Sequence, residues 1–589
     1  MAQPPPSDQP TPYAARFLTA LAAAFVPGFL AGTQIAGLLF FLNPGLPFSP
    51  LPLIRAILIY GTLVASATTL ILLPWSLRRP RSVQRLLPWA LSAVLAGAAI
   101  LDWYHASHFA FYLPPGINVR LIKAALWLTL AALICFYTAL LHALHGRRYG
   151  RRSWIGLALV ALLSVYVMVE RREAFQPRPA ASPRPTALEV ERRPRLWVVG
   201  IDGATLDAIL PLAEQGRLPF FSHLLRSGAS ARLTTLSPVR DPALWTTLAT
   251  GKLPYKHKIL GWRQFPAPFL SPGAMMRLLP TGVGFSRWGT FGVRPQPIDA
   301  RNRSGLAAWE VLARLGISTG LLGWPVSWPP PSNLTFAFAD RFFSDQPAAS
   351  TALPSELAER GKLFRVVPST LDPEVRGRFG DHPPPLLVND FAADRWRQSL
   401  TLFLTGQQPM PDGLFLMLPG LASVSRHFFG GFSAVQFEGA SDPADRQAAL
   451  WVSAYYQELD RFLSQLWRQE PPPRLLAIVS AYGMDPPGRW DQLWRKLTRS
   501  PALGGRISSA PDGIFLLAGE GVRAGTIPGG VRLIDVLPTL IYGLGYPVAR
   551  DLDGRVMTSA FTTGFLSQHP LSFVPSYETM APEETGPEP

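Results

Sequence analysis

The sequence is poor in the side chains that form covalent cross-links and sulfur-ligated metal sites. Only one of its 589 residues is a cysteine, Cys135, and it lies in a long apolar run. A single thiol excludes an intramolecular disulfide and a cysteine-ligated zinc site. Acidic residues are also few, with 39 Asp and Glu against 55 Lys and Arg. Part of the resulting charge of +16 lies in short loops between apolar runs. Because no RNA- or DNA-binding motif is present, the expected counterpart is anionic lipid and not nucleic acid.

Five apolar stretches lie in the first 170 residues of the chain. Three are long enough to span a bilayer as helices, and two are shorter but flanked by Trp and Tyr that suit the membrane interface. The stretches are residues 17–42, 56–77, 86–101, 124–144 and 153–169. The sequence therefore predicts an N-terminal tail at 1–16 and an all-α membrane domain of about five transmembrane helices at 17–170. Asp102, just after the third stretch, is interpreted as a residue at the membrane interface.

Arginine clusters indicate the orientation of these helices. Four Arg fill the connection after the second stretch, and four fill the connection after the fourth: Arg78, Arg79, Arg81, Arg85, Arg147, Arg148, Arg151 and Arg152. Such loops face the cytoplasm, which puts the N-terminus inside. Five crossings of an inner (cytoplasmic) membrane would leave the large C-terminal domain extracytoplasmic. If the fifth stretch lay only at the interface, that domain would be cytoplasmic.

Two further segments have the composition of a linker and of a tail. Residues 171–194 are rich in Pro and Arg, as in an extended linker. Residues 567–589 hold four Glu and no Lys or Arg, which predicts a disordered acidic tail. The remaining residues, 195–566, are expected to form one domain.

This domain opens with a strand-like pattern. The apolar run at 196–201 ends in Asp202 and Gly203, as expected of a buried parallel strand that delivers a carboxylate at its carboxyl end. Further on, Asp241 precedes a proline and an apolar helical stretch closed by Gly251. A helix N-terminus favours anions, so this turn is a second candidate site element.

These segments resemble the type I phosphodiesterase/nucleotide pyrophosphatase family of the alkaline phosphatase superfamily. Matching strings follow in order along the chain: Trp309-Glu310, Gly323-Trp324-Pro325, Leu418-Pro419-Gly420, Ala481-Tyr482-Gly483-Met484, Pro511-Asp512-Gly513 and Asp553-Gly554-Arg555. The resemblance implies an α/β fold, with an alkaline-phosphatase-like doubly wound sheet. It also implies a two-zinc site built from Asp, His and a Ser or Thr nucleophile.

Most of the positions that would form this site hold other side chains. The resemblance puts the first metal-binding Asp of the family at Asp202, but the nucleophile position holds Asp241. The degenerate ligand positions are Ala422, Arg426, Ala481, Tyr482 and Ser509. A catalytic zinc needs about three protein ligands. The sequence therefore predicts loss of two-zinc catalysis and no cofactor.

An alternative is a rebuilt site with one divalent cation (Mg, Ca or Zn). Asp202 and Asp241, helped by Asp485 or Asp340, could bind such an ion through oxygens and support an active phosphodiesterase or phosphotransferase. His427 lies one position from an expected ligand. A helix turns by about 100° per residue, which directs that ring elsewhere.

The remaining candidates have competing interpretations. Asp241 is interpreted mainly as a helix N-cap, and His257 as a structural histidine. Arg240, Lys252 and Arg426 could hold phosphate or sulfate by charge, or be ordinary surface cations. Paired charges within the spans would favour a third hypothesis, a transporter or lipid-binding membrane module, but the sequence shows none. The leading hypothesis is a catalytically degenerate, membrane-anchored protein that binds a phosphorylated envelope ligand or a protein partner in a bacterial-type envelope.

Overall fold

The computed structural model describes residues 13–78, 80–169, 194–344, 349–469, 472–498 and 504–580. It divides into two compact units. The first combines residues 1–176 with 262–297, and the second combines 177–261 with 298–589. The predicted linker, except residue 194, and residues 1–12 of the predicted N-terminal tail lie outside the described residues.

Helices and strands alternate after a helical N-terminal region. The helices are α1 (Tyr13–Leu42), α2 (Pro50–Arg78), α3 (Pro80–His108), α4 (Pro115–Leu144), α5 (Arg151–Val169), α6 (Leu206–Glu214), α7 (Pro219–Ser227), α8 (Asp241–Thr250), α9 (Pro254–His257), α10 (Phe285–Trp288), α11 (Ala308–Arg314), α12 (Leu357–Leu363), α13 (Pro373–Gly377), α14 (Pro385–Thr405), α15 (Gly420–Glu438), α16 (Pro443–Gln469), α17 (Arg489–Thr498), α18 (Leu533–Gly543) and α19 (Thr563–Gln568). The strands are β1 (Arg195–Ile201), β2 (Ala229–Thr234), β3 (Arg263–Pro266), β4 (Met275–Met276), β5 (Gln296–Pro297), β6 (Thr319–Leu322), β7 (Phe336–Phe338), β8 (Ala352–Leu353), β9 (Gly413–Leu418), β10 (Arg474–Ser480), β11 (Gly513–Gly519), β12 (Gly525–Thr526), β13 (Val531–Arg532), β14 (Val548–Ala549) and β15 (Phe573–Val574).

All five predicted spans form helices in the first unit. Within the described residues, α1 to α4 are long and apolar enough to cross a membrane by length and composition. Helix α5 is not among these four, so a fifth crossing stays a prediction. Gly28 and Gly32 bring α1 close to α2, because a Cβ on Gly32 would overlap the backbone carbonyl of Tyr60. Such small residues at a spacing of four are typical of tightly packed membrane helices.

Asp102 is buried within a helix and does not lie at a helix end, contrary to its sequence interpretation. Helix α3 continues to residue 108, and Asp102 is only 1% exposed on its buried stripe. Its Oδ2 has no hydrogen-bond partner among the described residues. One turn later, buried His105 accepts the backbone N–H of Thr281 at Nε2, over 3.0 Å. The apolar run ended at Asp102 in the sequence, but this carboxylate faces other helices and not lipid.

A segment from the middle of the α/β sequence belongs to the first unit. Residues 262–297 contain β3, β4, α10 and β5, and their aromatic side chains pack with α1 and α2. The ring centroids of Phe40 and Phe269 are 5.3 Å apart, and those of Tyr60 and Phe285 are 5.2 Å apart. The predicted domain at 195–566 therefore includes an insertion that packs on the helices.

The second unit is built on a mixed sheet of ten strands. Nine strands run in the order β12-β2-β11-β10-β1-β9-β6-β7-β8, and β13 also pairs with β2. The central strands β10, β1, β9, β6 and β7 are parallel. Alternate residues of β1 enter cores on opposite faces, Trp197 and Val199 on one and Leu196 and Val198 on the other. The predicted α/β class, with both faces of the sheet covered, is confirmed.

Three parallel strands end at the same edge of this sheet. Ile201 of β1 is level with Leu418 of β9, and Gly200 is level with Val479 of β10. The residues that follow β1, β9 and β10 therefore lie close together. This edge is where ligands bind in open α/β sheets.

The predicted disordered tail is ordered over much of its length. Strand β15 pairs with β14, Tyr577 is buried, and Glu578 forms an ion pair with Lys252. The prediction was wrong because it used the Glu and Pro content of residues 567–589 and gave no weight to the apolar side chains that anchor the segment. Residues 581–589 lie outside the described part of the chain.

Candidate functional site

Most of the predicted site positions lie at the sheet edge where β1, β9 and β10 end. Asp202 follows β1, and Asp241 is the first residue of α8. The other positions reach the edge from the two neighbouring strands: Ala422 and Arg426 on α15 after β9, and Ala481 and Tyr482 after β10. Their common position results from the shared direction of the three strands.

Asp202 is a buried carboxyl group. It is 7% exposed, and its Oδ1 accepts the indole N–H of Trp245 over 3.1 Å. Burial raises the pKa of Asp202 from 3.8 to about 7, and the charge of Asp241 adds to this rise, while Trp245, Arg426 and Tyr482 oppose it. Burial disfavours the charged form of a carboxyl because water no longer solvates it.

Arg426 connects the other charged groups at this edge. Its Nη2 donates to Asp241 Oδ2 over 3.0 Å and to the hydroxyl oxygen of Tyr482 over 2.8 Å. Burial acts to lower the pKa of Arg426, but Tyr482, Asp241 and Asp202 together raise it above its usual range. The guanidinium therefore stays charged and neutralises the acidic groups around it.

Tyr482 completes this group of side chains. Burial, followed by the charges of Asp202 and Asp241, raises the pKa of its phenol above the ordinary value. The neutral hydroxyl accepts from Arg426 and lies within hydrogen-bonding reach of Asp202. We call Asp202, Asp241, Arg426 and Tyr482 the Arg426 network.

The other degenerate positions offer no metal ligand. Ala422 is buried against Gly203, and Ala481 is fully buried. Ser509 is exposed, and its hydroxyl donates to the carboxylate of Asp485. In the part of the chain that the structure describes, no group of three or more His, Cys, Asp or Glu could hold a metal ion. This donor set does not fit two zinc ions, which need several nitrogen and oxygen ligands each.

The acidic residues considered as helpers are engaged elsewhere. Asp340 accepts the backbone N–H groups of Val326, Trp328 and Arg341 over 3.0, 3.1 and 3.0 Å. It therefore fixes a loop. The carboxylate of Asp485 accepts the serine hydroxyl described above.

The two histidines also form local contacts. The Nδ1 of His427 lies 2.9 Å from the carbonyl of Ser423, on an exposed face of α15. His257 is buried, with its Nε2 2.9 Å from Thr247 Oγ1 and its Nδ1 accepting the N–H of Ile259 over 3.1 Å. These contacts agree with a structural role for His257 and place His427 outside the Arg426 network.

The structure corrects the interpretation of Asp241 as a helix N-cap. The N-cap of α8 is Arg240, and Asp241 is the first helical residue. The carboxylate of Asp241 bonds to Arg426, which is 185 positions away. Asp241 therefore contributes to the site and does not cap its own helix.

The three candidate anion-binding cations do not converge. Arg240 is the N-cap of α8, whereas Lys252 follows the C-cap of the same ten-residue helix, which is about 15 Å long. Lys252 donates to Asp551 over 2.8 Å and also to Glu578. Arg240 donates to the carbonyl of Leu260 over 3.2 Å. Of the three, only Arg426 belongs to the network.

A comparison with protein families identifies the α/β sequence. The family described as type I phosphodiesterase / nucleotide pyrophosphatase matches residues 196–501, more than half of the chain. The chain belongs to this family. No curated protein matches its sequence.

Several solved structures are similar to this family member. Murine ectonucleotide pyrophosphatase / phosphodiesterase 5 is 11% identical, with 60% of this chain and 96% of that chain covered and a TM-score of 0.36. Wild-type alkaline phosphatase PafA is 11% identical, with 63% and 99% covered and a TM-score of 0.39. Phosphonoacetate hydrolase from Sinorhizobium meliloti, in complex with phosphonoformate, is 10% identical, with 62% and 98% covered and a TM-score of 0.34.

Sequence reasoning missed Trp245 as a member of the site. Its indole donates to Asp202, while Asp241 lies four residues before it on α8. Side chains four residues apart share one face of a helix. That spacing was the available signal, because it puts the indole beside a residue already assigned to this phosphodiesterase-family site.

Proposed function

We propose that the chain is a membrane-anchored, non-catalytic member of the type I phosphodiesterase/nucleotide pyrophosphatase family. It acts as an envelope scaffold or binding protein for a phosphorylated ligand or a protein partner. The observation that supports the proposal is the Arg426 guanidinium, which bonds to both Asp241 and Tyr482. A cation that belongs to the chain replaces the metal charge.

Phosphoryl transfer has little support in this arrangement. The reaction needs an activated nucleophile and positively charged groups that contact the transferred phosphate and stabilise its negative charge. The side chain at the nucleophile position is a carboxylate that already forms an ion pair with Arg426. An incoming phosphate would have to compete with Asp241 for the same guanidinium.

The full chain should not hydrolyse phosphodiesters above background. Purified protein in detergent is incubated with bis-p-nitrophenyl phosphate and Mg²⁺, Mn²⁺ or Zn²⁺, with Asp202→Asn as the matched control. Equal rates for the two proteins are expected. With the Arg426 network in place of a metal ion, no metal ion activates a nucleophile. A metal-dependent rate that Asp202→Asn abolishes would support the rebuilt one-metal enzyme instead.

The insertion at 262–297 supports an extracytoplasmic position for the α/β sequence. At the end of α1, Asn43 Oδ1 accepts the N–H of Leu278 over 3.0 Å, and near the end of α3, His105 accepts from Thr281. The insertion therefore lies at the end of the helices opposite the two Arg-rich connections. Those connections face the cytoplasm. The α/β sequence is joined to both ends of the insertion, so we place it on the side of the membrane opposite the cytoplasm. This position agrees with five crossings.

Thiol labelling tests this orientation in intact cells. Cys135 is buried and is replaced by Ala, and a single thiol is introduced as Leu363→Cys on α12 or as Arg148→Cys in an Arg-rich connection. A membrane-impermeant maleimide should label Leu363→Cys in intact cells and Arg148→Cys only after permeabilisation. The reverse pattern would contradict the proposed orientation.

A further inference from the structure

Helix α17 of the α/β unit presents its apolar side chains to solvent. Trp490, Leu493, Trp494 and Leu497 are 82%, 47%, 66% and 69% exposed. Spacings of three and four put all of them on one face of the helix. A surface helix of a globular protein normally turns such a face toward the core. The apolar face of α17 therefore lacks the burial that its composition predicts.

Contacts on the opposite face hold α17 in this orientation. Gln492 Nε2 donates to Glu438 Oε1, at the end of α15, over 3.3 Å. Arg495 forms an ion pair with Asp445 of α16, whose side chain is only 3% exposed. Because an unpaired buried carboxylate is costly, this pair resists rotation of the helix. The outward direction of the Trp and Leu side chains is thus fixed by the packing of the polar face.

Basic residues border the apolar face. At about 100° per residue, Arg489 lies at the edge of the apolar arc, whereas Arg495 lies on the opposite, polar face. The sequence adds Lys496, and Asp491 is the single acidic residue of the helix. Trp with flanking Arg and Lys is typical of helices that lie in the interface of anionic membranes.

We propose that α17 is an interfacial helix that docks the α/β unit on a lipid bilayer containing anionic headgroups. Its Trp and Leu side chains enter the boundary between headgroups and acyl chains, and its cations contact lipid phosphates. A lipid surface is the occupant that fits, because the same chain has four helices able to cross a membrane. The inference uses the membrane anchoring of the proposed function and not the loss of catalysis.

A spin label at residue 497 tests this contact in the full chain. Leu497→Cys, in the Cys135→Ala background, is labelled with a nitroxide and reconstituted into vesicles of phosphatidylethanolamine and phosphatidylglycerol. Leu363→Cys is the matched control, because Leu363 is an exposed leucine of the same unit at 83% exposure. Power-saturation spectroscopy compares collisions of each label with oxygen, which partitions into lipid, and with a water-soluble nickel chelate.

The label at 497 should collide several-fold less with the nickel chelate, relative to oxygen, than the label at 363. Replacing phosphatidylglycerol by phosphatidylcholine should reduce the depth at which the label at 497 enters the bilayer, because the cations of α17 lose the anionic headgroups that they contact. Equal nickel accessibility at the two positions would overturn the proposal while leaving membrane anchoring intact. Dipolar broadening between labels at high lipid-to-protein ratio would also overturn it, by assigning the face to a second copy of the chain.

Discussion

Asp202→Asn should stabilise the α/β unit by about 3–4 kcal/mol at pH 8 and leave its stability at pH 4 nearly unchanged. The pKa of Asp202 is about 7 in the folded chain, against an ordinary value of 3.8. Between these values the unfolded chain has lost the proton and the folded chain retains it, so stability falls as pH rises. Asparagine cannot ionise, and its amide oxygen can still accept the indole N–H of Trp245.

Urea unfolding of the full chain in detergent, followed by pulse proteolysis of the α/β unit, measures this difference. Asp412→Asn is the matched control, since its side chain is 51% exposed and pairs with Arg195 over 3.4 Å. That change should alter stability by less than about 0.5 kcal/mol at either pH. Destabilisation by Asp202→Asn at pH 8 would mean that the ionised carboxylate holds a favourable partner, such as a metal ion, and would contradict the account.

Arg426→Ala should create a divalent-cation site that the wild-type chain lacks. The charge of Asp241 acts on Asp202, and without the guanidinium of Arg426 no positive charge compensates the two carboxylates. Hard divalent cations bind oxygen ligands, and a cation that binds only the folded state stabilises it by about 2.7 kcal/mol at 100 times its Kd. Added Mn²⁺ should therefore raise the melting temperature of Arg426→Ala by several degrees and leave that of the wild type unchanged.

Arg426→Lys separates the effect of charge from that of shape. Lysine keeps a positive charge near Asp241, so the melting temperature of the Arg426→Lys protein should not respond to Mn²⁺. A response of the wild-type chain equal to that of Arg426→Ala would show that the cation binds elsewhere. No response in Arg426→Ala would show that the two carboxylates are not poised to share an ion.

The fold of the α/β unit was largely predictable from the sequence. The apolar run before Asp202 and the strings around Leu418 and Tyr482 mark strands and the turns that follow them. These local patterns suffice because a parallel strand buried on both faces has a nearly continuous apolar sequence. The family assignment followed from the order of the same strings.

The Arg426 network was not predictable in the same way. The sequence indicates Arg426 as a lost ligand position or an anion-binding cation, but not its contacts with Asp241 and Tyr482, which lie 185 and 56 positions away. The structure reveals that the replacements complement one another. The guanidinium of Arg426 lies among the side chains of Asp241, Tyr482 and Asp202 and supplies hydrogen bonds and positive charge to them. No single sequence position indicates this arrangement.

The direction in which individual side chains point was also not predictable from the sequence. Asp102 ended an apolar run and was interpreted as an interface residue, but it faces the interior of the helical unit. The outward apolar face of α17 was missed for the opposite reason, since amphipathic spacing indicates a face but not its direction. Both outcomes depend on which neighbours an element meets after folding.

Metal content of the purified full chain tests the central claim most directly. The protein is equilibrated with Zn²⁺ and then with Mn²⁺, freed of unbound ions and analysed by mass spectrometry, with Asp202→Asn processed in parallel. If Arg426 replaces the metal charge, neither protein should retain stoichiometric metal. One or two metal ions per wild-type chain, lost in Asp202→Asn, would contradict the account and assign this site to a metalloenzyme.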